Sequence, residues 1–411
     1  MTKTYPLRQQ ILALPRAERV GPLLDLLQSW VAAVTGCAKQ EIAATAPFTT
    51  FDASWGDPFI MSEALYLHFD EHLNFPFYLT DLEQVKTLQE LALYLVDELD
   101  PPPPTAPYAD PYAGGAWAWP TPEPYPYTVD TKQPLVLLLG VHRSGTTLLR
   151  TMLTGHPELF GPPELYLLQC ATMGEFQQQS IRLGNPWYRM GLVQTVAHLQ
   201  NIPFEQAEAY VCQLEAEDAP MHTVYRTLAE LANNRLVVDK SPTYLAHGGW
   251  LQRAEQIFDQ PKYLYLVRHP FAVIESWVRM RVQQVIRNHY GIWDANPWLH
   301  AEKAWAVFNH NALTFLQQIP AERQHLVRYE DLVTNPIVTQ QAICRFLGIH
   351  FDEALLDPYR GERLLAGVGD GNIGKHSQVE ARLATAWQEK RPPQELSPFT
   401  KQVATALGYE T

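Results

Sequence analysis

Cysteine is scarce in this chain. Cys37, Cys170, Cys212 and Cys344 are the only four in 411 residues, and they are scattered. That count favours buried free thiols in a reducing cytoplasm over a disulfide framework. No CxxC or HExxH spacing occurs, so no metal site is indicated. Long hydrophobic runs are missing as well, and the longest apolar stretch falls far short of the ~20 residues a membrane helix needs. The opening MTKTYPLRQQILALPRAER sets Arg on both sides of a very short apolar patch, which reads as neither signal peptide nor anchor. Positive charge is in deficit, with 31 Lys and Arg against 44 Asp and Glu. This weighs against a strongly acidic partner such as nucleic acid or a sulfated glycan. Hydrophobic residues make up 46% of the chain, ample for a buried core.

Length predicts two or three domains, and composition shows where to divide them. Residues 101–133, beginning PPPPTAPYADPYAGGAWAWPTPEPYPYT, hold ten of the 33 prolines and no apolar periodicity, so they read as a linker. Its rings, Tyr108, Tyr112, Trp117, Trp119, Tyr125 and Tyr127, suit a semi-rigid strap laid along a domain surface. Before it, residues 1–100 carry three helical stripes. Leu23, Leu24, Leu27, Trp30, Val31 and Val34 form the first, closed by Gly36. Met61, Ala64, Leu65, Phe69 and Leu73 form the second, and Leu88, Leu91, Ala92, Leu95 and Leu99 the third, starting near Lys86-Thr87. This small all-α domain is acidic, with 14 Asp or Glu against 6 Lys or Arg.

The chemistry is concentrated after the linker. In PLVLLLGVHRSGTTLLRTMLTGHPELFGPPE, residues 134–164, an apolar run from Leu135 to Leu139 reads as a strand buried on both faces. Gly140 to Thr147 then form a tight polar loop opening a helix, where backbone N–H groups and the helix dipole converge on an anion. The spacing is that of the nucleotide-triphosphate P-loop, Gly140, four residues, Gly145, except that the Lys of that pattern is missing. Its charge reappears as Arg143, whose planar fork suits bidentate contact with phosphate or sulfonate oxygens. A second block, residues 235–280, repeats the strand-helix-strand pattern. Asp239, Lys240, Ser241 and Pro242 follow one apolar run and Arg268 the next, at the carboxyl ends of candidate parallel strands.

These residues resemble the sulfotransferases that use 3′-phosphoadenosine 5′-phosphosulfate (PAPS), and within them the bacterial, tyrosylprotein-sulfotransferase-like branch. GVHRSGTTLLRTML is similar to the loop that holds the 5′-phosphosulfate, with His142 where a Pro is common. The resemblance implies an α/β fold, a P-loop-like parallel sheet flanked by helices, over residues 134–411. It assigns Arg143, Ser144, Gly145, Thr146 and Thr147 to the 5′-phosphosulfate and Glu164, 21 residues past Arg143, to the general base. Lys240 matches the catalytic Lys of the branch, and Arg268 with Ser276, eight residues on, matches the pair that binds the 3′-phosphate. LVRYEDLVTNPIVTQQAICRFLGI, residues 326–349, resembles the signature after the core strands, in which Tyr329 suits packing or adenosine contact. GVGDGNIGKHSQVEARLATAWQ, residues 367–388, resembles the loop that closes over the nucleotide, where Lys375 either caps the 3′-phosphate or is a surface Lys. His142 borders the cradle and either shares acid-base duty or is a packed neutral His.

The activity so implied is transfer of the sulfonate group from PAPS to a hydroxyl acceptor, small or carrier-bound, without a metal. A P-loop small-molecule kinase or NTPase is the alternative, opposed by the absent loop Lys and by the late Arg and Ser. A non-catalytic nucleotide-binding protein of the same fold is opposed by the joint presence of Arg143, Glu164 and Lys240. The N-terminal domain resembles an acyl carrier protein, yet in the register set by FDEHLNF, residues 69–75, the phosphopantetheine Ser position falls at Phe59. A carrier-like domain without a prosthetic group is therefore expected, serving docking, homodimer formation or shielding of the site.

Overall fold

A computed structural model describes residues 5–101, 124–183, 187–286, 296–359, 378–390 and 395–411, apart from positions 57, 74, 76, 78–80, 83 and 84. The chain clusters into two compact units, residues 1–106 with 276–301, and residues 107–275 with 302–411. Four of the expected linker rings, Tyr108, Tyr112, Trp117 and Trp119, lie outside the described residues, as does Lys375.

The first unit is helical, with helices Pro6–Ala13, Val20–Thr35, Pro58–Leu73 and Leu88–Leu99. Leu23, Leu27, Trp30 and Val31 bury one face of the second helix, which stops where Gly36 takes φ +74. Val34 does not join that face. It is 54% exposed although it lies on the same face, in the last turn of the helix two residues before Gly36. Met61, Leu65, Phe69 and Leu73 face the same core, and Leu88, Leu91, Ala92, Leu95 and Leu99 complete it. The last helix is set by chemistry at its start: Thr87 accepts from the Glu90 backbone, and the Glu90 carboxylate accepts from the Thr87 backbone, a capping box worth about 1 kcal/mol. Segment 276–301 is tied to these helices by Arg281, which is 1% exposed. Its Nη1 and Nη2 donate to the two oxygens of fully buried Asp81 at 2.7 and 2.8 Å, and its Nε to Glu98 at 2.8 Å.

The second unit is built on a five-stranded parallel sheet: β1 (Val136–Leu139), β2 (Leu159–Phe160), β3 (Leu236–Asp239), β4 (Lys262–Val267) and β5 (Gln324–Arg328). Their order is β2-β3-β1-β4-β5. Central β1 pairs Leu137 with Asp239 on one side and Leu139 with Tyr265 on the other, which is why its residues are apolar without alternation. The chain leaves β1 towards one edge and β4 towards the other, so the loops after these neighbours part at a topological switch point. Val136, Leu138, Val238, Leu264 and Leu266 pack with Leu149, Met152 and Leu153 of the helix Thr146–Leu153. Residues 124–133 belong to this unit, where the Tyr125 N–H donates to Gln256 at 2.9 Å and its hydroxyl meets His222 Nδ1 at 2.8 Å. All four cysteines are free. Among the described residues, no helix is long and apolar enough to cross a membrane.

Candidate active site

The loop after β1 is shaped by two left-handed residues, Arg143 at φ +70 and Gly145 at φ +93, before the helix Thr146–Leu153 begins. Glycine is required twice here. A Cβ on Gly145 would lie 2.3 Å from Tyr329 Cδ2, and one on Gly140 would lie 2.8 Å from the Leu266 carbonyl of the neighbouring strand. The loop is thus pressed between β4 and the Tyr329 ring, with Ser144 and Thr146 buried at the turn into the helix. The helix start offers its unpaired N–H groups to an anion from this rigid frame.

Arg268 stands at the end of β4, beside that loop. Its guanidinium lies 4.1 Å from the centre of the Tyr329 ring, and its Nη1 donates to the Arg143 carbonyl at 3.1 Å. Trp305 Nε1 donates to the Arg268 carbonyl at 3.1 Å and pins the backbone. The Arg268 Nε is buried and has no hydrogen-bond partner among the described residues. An under-satisfied cation stacked on an aromatic ring, next to an N–H cradle, suits a ligand that carries negative charge. Ser276 is buried on the helix Pro270–Arg279 and clusters with the first unit.

Glu164 and Lys240 come together from positions 76 residues apart. Lys240 immediately follows β3 and donates its Nζ to Glu164 Oε1, and the pair is nearly closed off, with Glu164 7% and Lys240 1% exposed. Burial pulls the Lys240 pKa down, while the Glu164 carboxylate pushes it back up. Asp239 is occupied otherwise. It accepts from the hydroxyls of Tyr225 at 2.5 Å and Tyr244 at 2.9 Å and from Ser241 at 3.2 Å, and burial raises its pKa to about 6. A carboxylate so enclosed braces the strand end. His142 packs towards Phe308, with ring centres 6.3 Å apart.

Three further residues shape the Glu164 environment and were not singled out from sequence. The Tyr166 hydroxyl donates to Glu164 Oε2, and its ring stacks on Tyr188 at 4.9 Å. Arg150, buried on the helix after the loop, donates to the Gly161 carbonyl at 2.8 Å; burial lowers its pKa to about 10 and the Glu164 charge raises it. Gly191 admits the helix Trp187–Gln200 against Glu164, since a Cβ there would lie 2.0 Å from the Glu164 carbonyl oxygen. The buried carboxylate therefore faces two cations, a charge surplus suited to an anion. Arg150 had a sequence signal, a charge in the helix that follows an anion loop, whereas Tyr166 and Gly191 had none. Among the described residues, no cluster of three or more His, Cys, Asp or Glu side chains could hold a metal ion.

Comparison with known proteins bears on this geometry. The model of a family described as "Sulfotransferase family" matches residues 134–353. The sulfotransferase domain from the curacin biosynthetic pathway is 40% identical, with a TM-score of 0.63, over 68% of this chain and 99% of that domain. The sulfotransferase domain of the Synechococcus PCC 7002 olefin synthase is also 40% identical, with a TM-score of 0.63, over 69% of this chain and 98% of that domain. Protein-tyrosine sulfotransferase 2 of Gallus gallus is 24% identical over 245 residues, 59% of this chain. The match spans 58% of that relative's length.

Proposed function

We propose that this chain, which belongs to the sulfotransferase family, moves the sulfonate group of PAPS onto a hydroxyl acceptor and releases 3′-phosphoadenosine 5′-phosphate. The observation that carries the reading is the buried Glu164 and Lys240 pair at the carboxyl end of the sheet, in the same matched span as the anion loop. The donor supplies a sulfur atom whose bridging bond to phosphate breaks as the acceptor oxygen bonds to it, the electron pair leaving with the phosphate oxygen. Glu164 takes the acceptor proton as the new O–S bond forms. A carboxylate is a weak base towards an alcohol, so removal is concerted with bond formation. Arg143, Lys240 and the hydroxyls of Thr146 and Thr147 disperse charge on the sulfonate and the bridging oxygen, each donor worth roughly 3 kcal/mol in the transition state. Arg268, Ser276 and Lys375 hold the 3′-phosphate, and Tyr329 offers its ring to the adenosine. His142 borders the cradle and takes a secondary acid-base role.

The acceptor is a hydroxyl on a carrier-bound or small biosynthetic intermediate in the cytoplasm. Support comes from the two 40% identical domains, one from a biosynthetic pathway and one from an olefin synthase. The acidic helical module of residues 1–100 is read as carrier-like but without phosphopantetheine. Its helix Pro58–Leu73 starts beside Phe59, and the side chain at that position lies outside the described residues. Treatment with a phosphopantetheinyl transferase and coenzyme A should leave the intact mass unchanged, and a pantetheine adduct would overturn that reading. For the chemistry, the test is Glu164→Gln with PAPS and β-hydroxyacyl carrier proteins as acceptors. Transfer should fall by roughly a hundredfold to ten-thousandfold while nucleotide binding stays intact. Preserved turnover would remove Glu164 from the base role.

A further inference from the structure

The strand ends that carry Arg268 and Tyr329 are sewn together by a segment with no part in the reading above, residues 407–410. Glu330, next to Tyr329, accepts the backbone N–H of His269 on Oε1 at 3.0 Å and the hydroxyl of Tyr409 on Oε2 at 2.8 Å. Its carboxylate therefore bridges the residue after Arg268 to Tyr409. The Tyr409 ring lies under the Arg328 guanidinium at 4.8 Å, and Arg328 Nη2 donates to the Leu407 carbonyl at 2.5 Å. Gly408 makes that approach feasible, at φ +71 and with a Cβ position 2.5 Å from Arg328 Nη2. On the other side, His269 Nε2 bonds the Glu410 carbonyl at 3.0 Å, and the His269 ring stacks on Trp387 at 3.9 Å. The Arg268 Nη2 meanwhile reaches the Leu383 carbonyl at 3.4 Å. Tyr409 is 8% exposed, and burial together with the Glu330 charge raises its pKa, so its hydroxyl stays a donor.

We infer that Tyr409 is a positioning residue for 3′-phosphate recognition, acting through Glu330 and the His269 backbone to hold Arg268 over the Tyr329 ring. The inference rests on the reading of Arg268 as a 3′-phosphate ligand. Two free ends, one on β4 and one on β5, must be kept in register for the guanidinium to stay on the ring, and the backbone bonds of the sheet stop before it: the last paired residues are Val267 and Arg328. Beyond them, the Glu330 bridge and the 407–410 segment carry the register. The 5′-phosphosulfate loop leans on the same frame, with Gly145 against Tyr329 and the Arg143 carbonyl on Arg268, but Gly140 against β4 and the start of the helix Thr146–Leu153 hold it as well, so it should depend on Tyr409 less than Arg268 does.

The test is calorimetry on the full chain with 3′-phosphoadenosine 5′-phosphate and with adenosine 5′-phosphate, which lacks the 3′-phosphate. Tyr409→Phe keeps the ring under Arg328 and removes only the hydroxyl. It should lose about tenfold in affinity for the 3′-phosphorylated nucleotide, the factor that ~1.4 kcal/mol makes, with a clearly smaller loss for adenosine 5′-phosphate. Tyr409→Ala should show the same selectivity with a larger loss, and Tyr409→Phe carries the test if the alanine variant does not fold. Equal losses for both nucleotides, or none, would overturn the inference. Arg268→Ala serves as the reference. If it is selective and Tyr409→Phe is not, the inference alone fails; if it weakens both nucleotides equally, the 3′-phosphate reading fails and takes the inference with it.

Discussion

Lys240→Met strips an ammonium from a carboxylate that is only 7% exposed. Breaking a buried ion pair from one side costs about 3–5 kcal/mol, because the remaining charge is left without water or partner. Here the Tyr166 hydroxyl still donates to Glu164 and Arg150 still lends its charge, so the cost should fall at the low end, about 3 kcal/mol. The reverse change, Glu164→Gln, leaves Lys240 buried without its carboxylate. Since burial already pulls the Lys240 pKa down, that amine can shed its proton, and the cost is smaller, about 1–3 kcal/mol for an under-satisfied donor. Both together replace the pair by neutral groups, so the double variant should be more stable than the sum of the singles predicts, by ~0.5–3 kcal/mol. Urea titration of the full chain, read by hydrogen exchange of β1 and β3 peptides, reports on the sheet alone. Single effects that add to within ~0.5 kcal/mol would show that the two side chains do not feel each other and would refute the reasoning.

Gly145→Ala forces a side chain into a left-handed position, costing ~1–2 kcal/mol, and drives its Cβ into the Tyr329 ring. Calorimetry should show nucleotide affinity reduced by more than about tenfold, and unchanged affinity would mean that the loop is not the cradle. Asp239 has a folded pKa of about 6 against an ordinary 3.8, so the folded state holds its proton more tightly. Its contribution to stability is complete below pH 3.8 and is lost as pH rises through about 6. Asp239→Asn should flatten the stability profile between those values, and an unaltered slope in urea titrations would contradict the assignment. Arg281→Met takes the cation from buried Asp81, to which the Tyr94 hydroxyl still donates at 2.6 Å, and should destabilise the helical unit by about 3 kcal/mol. Faster hydrogen exchange across Leu88–Leu99 would register that loss, and unchanged exchange would oppose it.

What could be read from residues alone followed local physics. The Leu88–Leu99 helix announced itself by period, starting near Lys86-Thr87, and β1 and β4 by unbroken apolar runs between polar ends. Two strands escaped. β2 is two residues long, too short for any period, and β5 reads QHLVR because it is an edge strand with Leu326 46% exposed. The families of side chains around the anion loop were legible as types at strand ends, but their partnerships were not. Glu164 meets Lys240 because β2, which precedes Glu164, lies beside β3, and Arg281 meets Asp81 across 200 residues. Tyr166, Gly191 and Tyr409 act through contacts made by the fold, which no spacing in the chain encodes.

The central claim is that this site takes a nucleotide with both a 5′-anion and a 3′-phosphate. The most direct measurement is calorimetric titration of the purified chain with 3′-phosphoadenosine 5′-phosphate and, separately, with ATP and Mg²⁺. The account predicts binding of the 3′-phosphorylated nucleotide in the absence of metal and little or none of ATP, whereas preference for ATP with Mg²⁺ would contradict it and point to a kinase or NTPase.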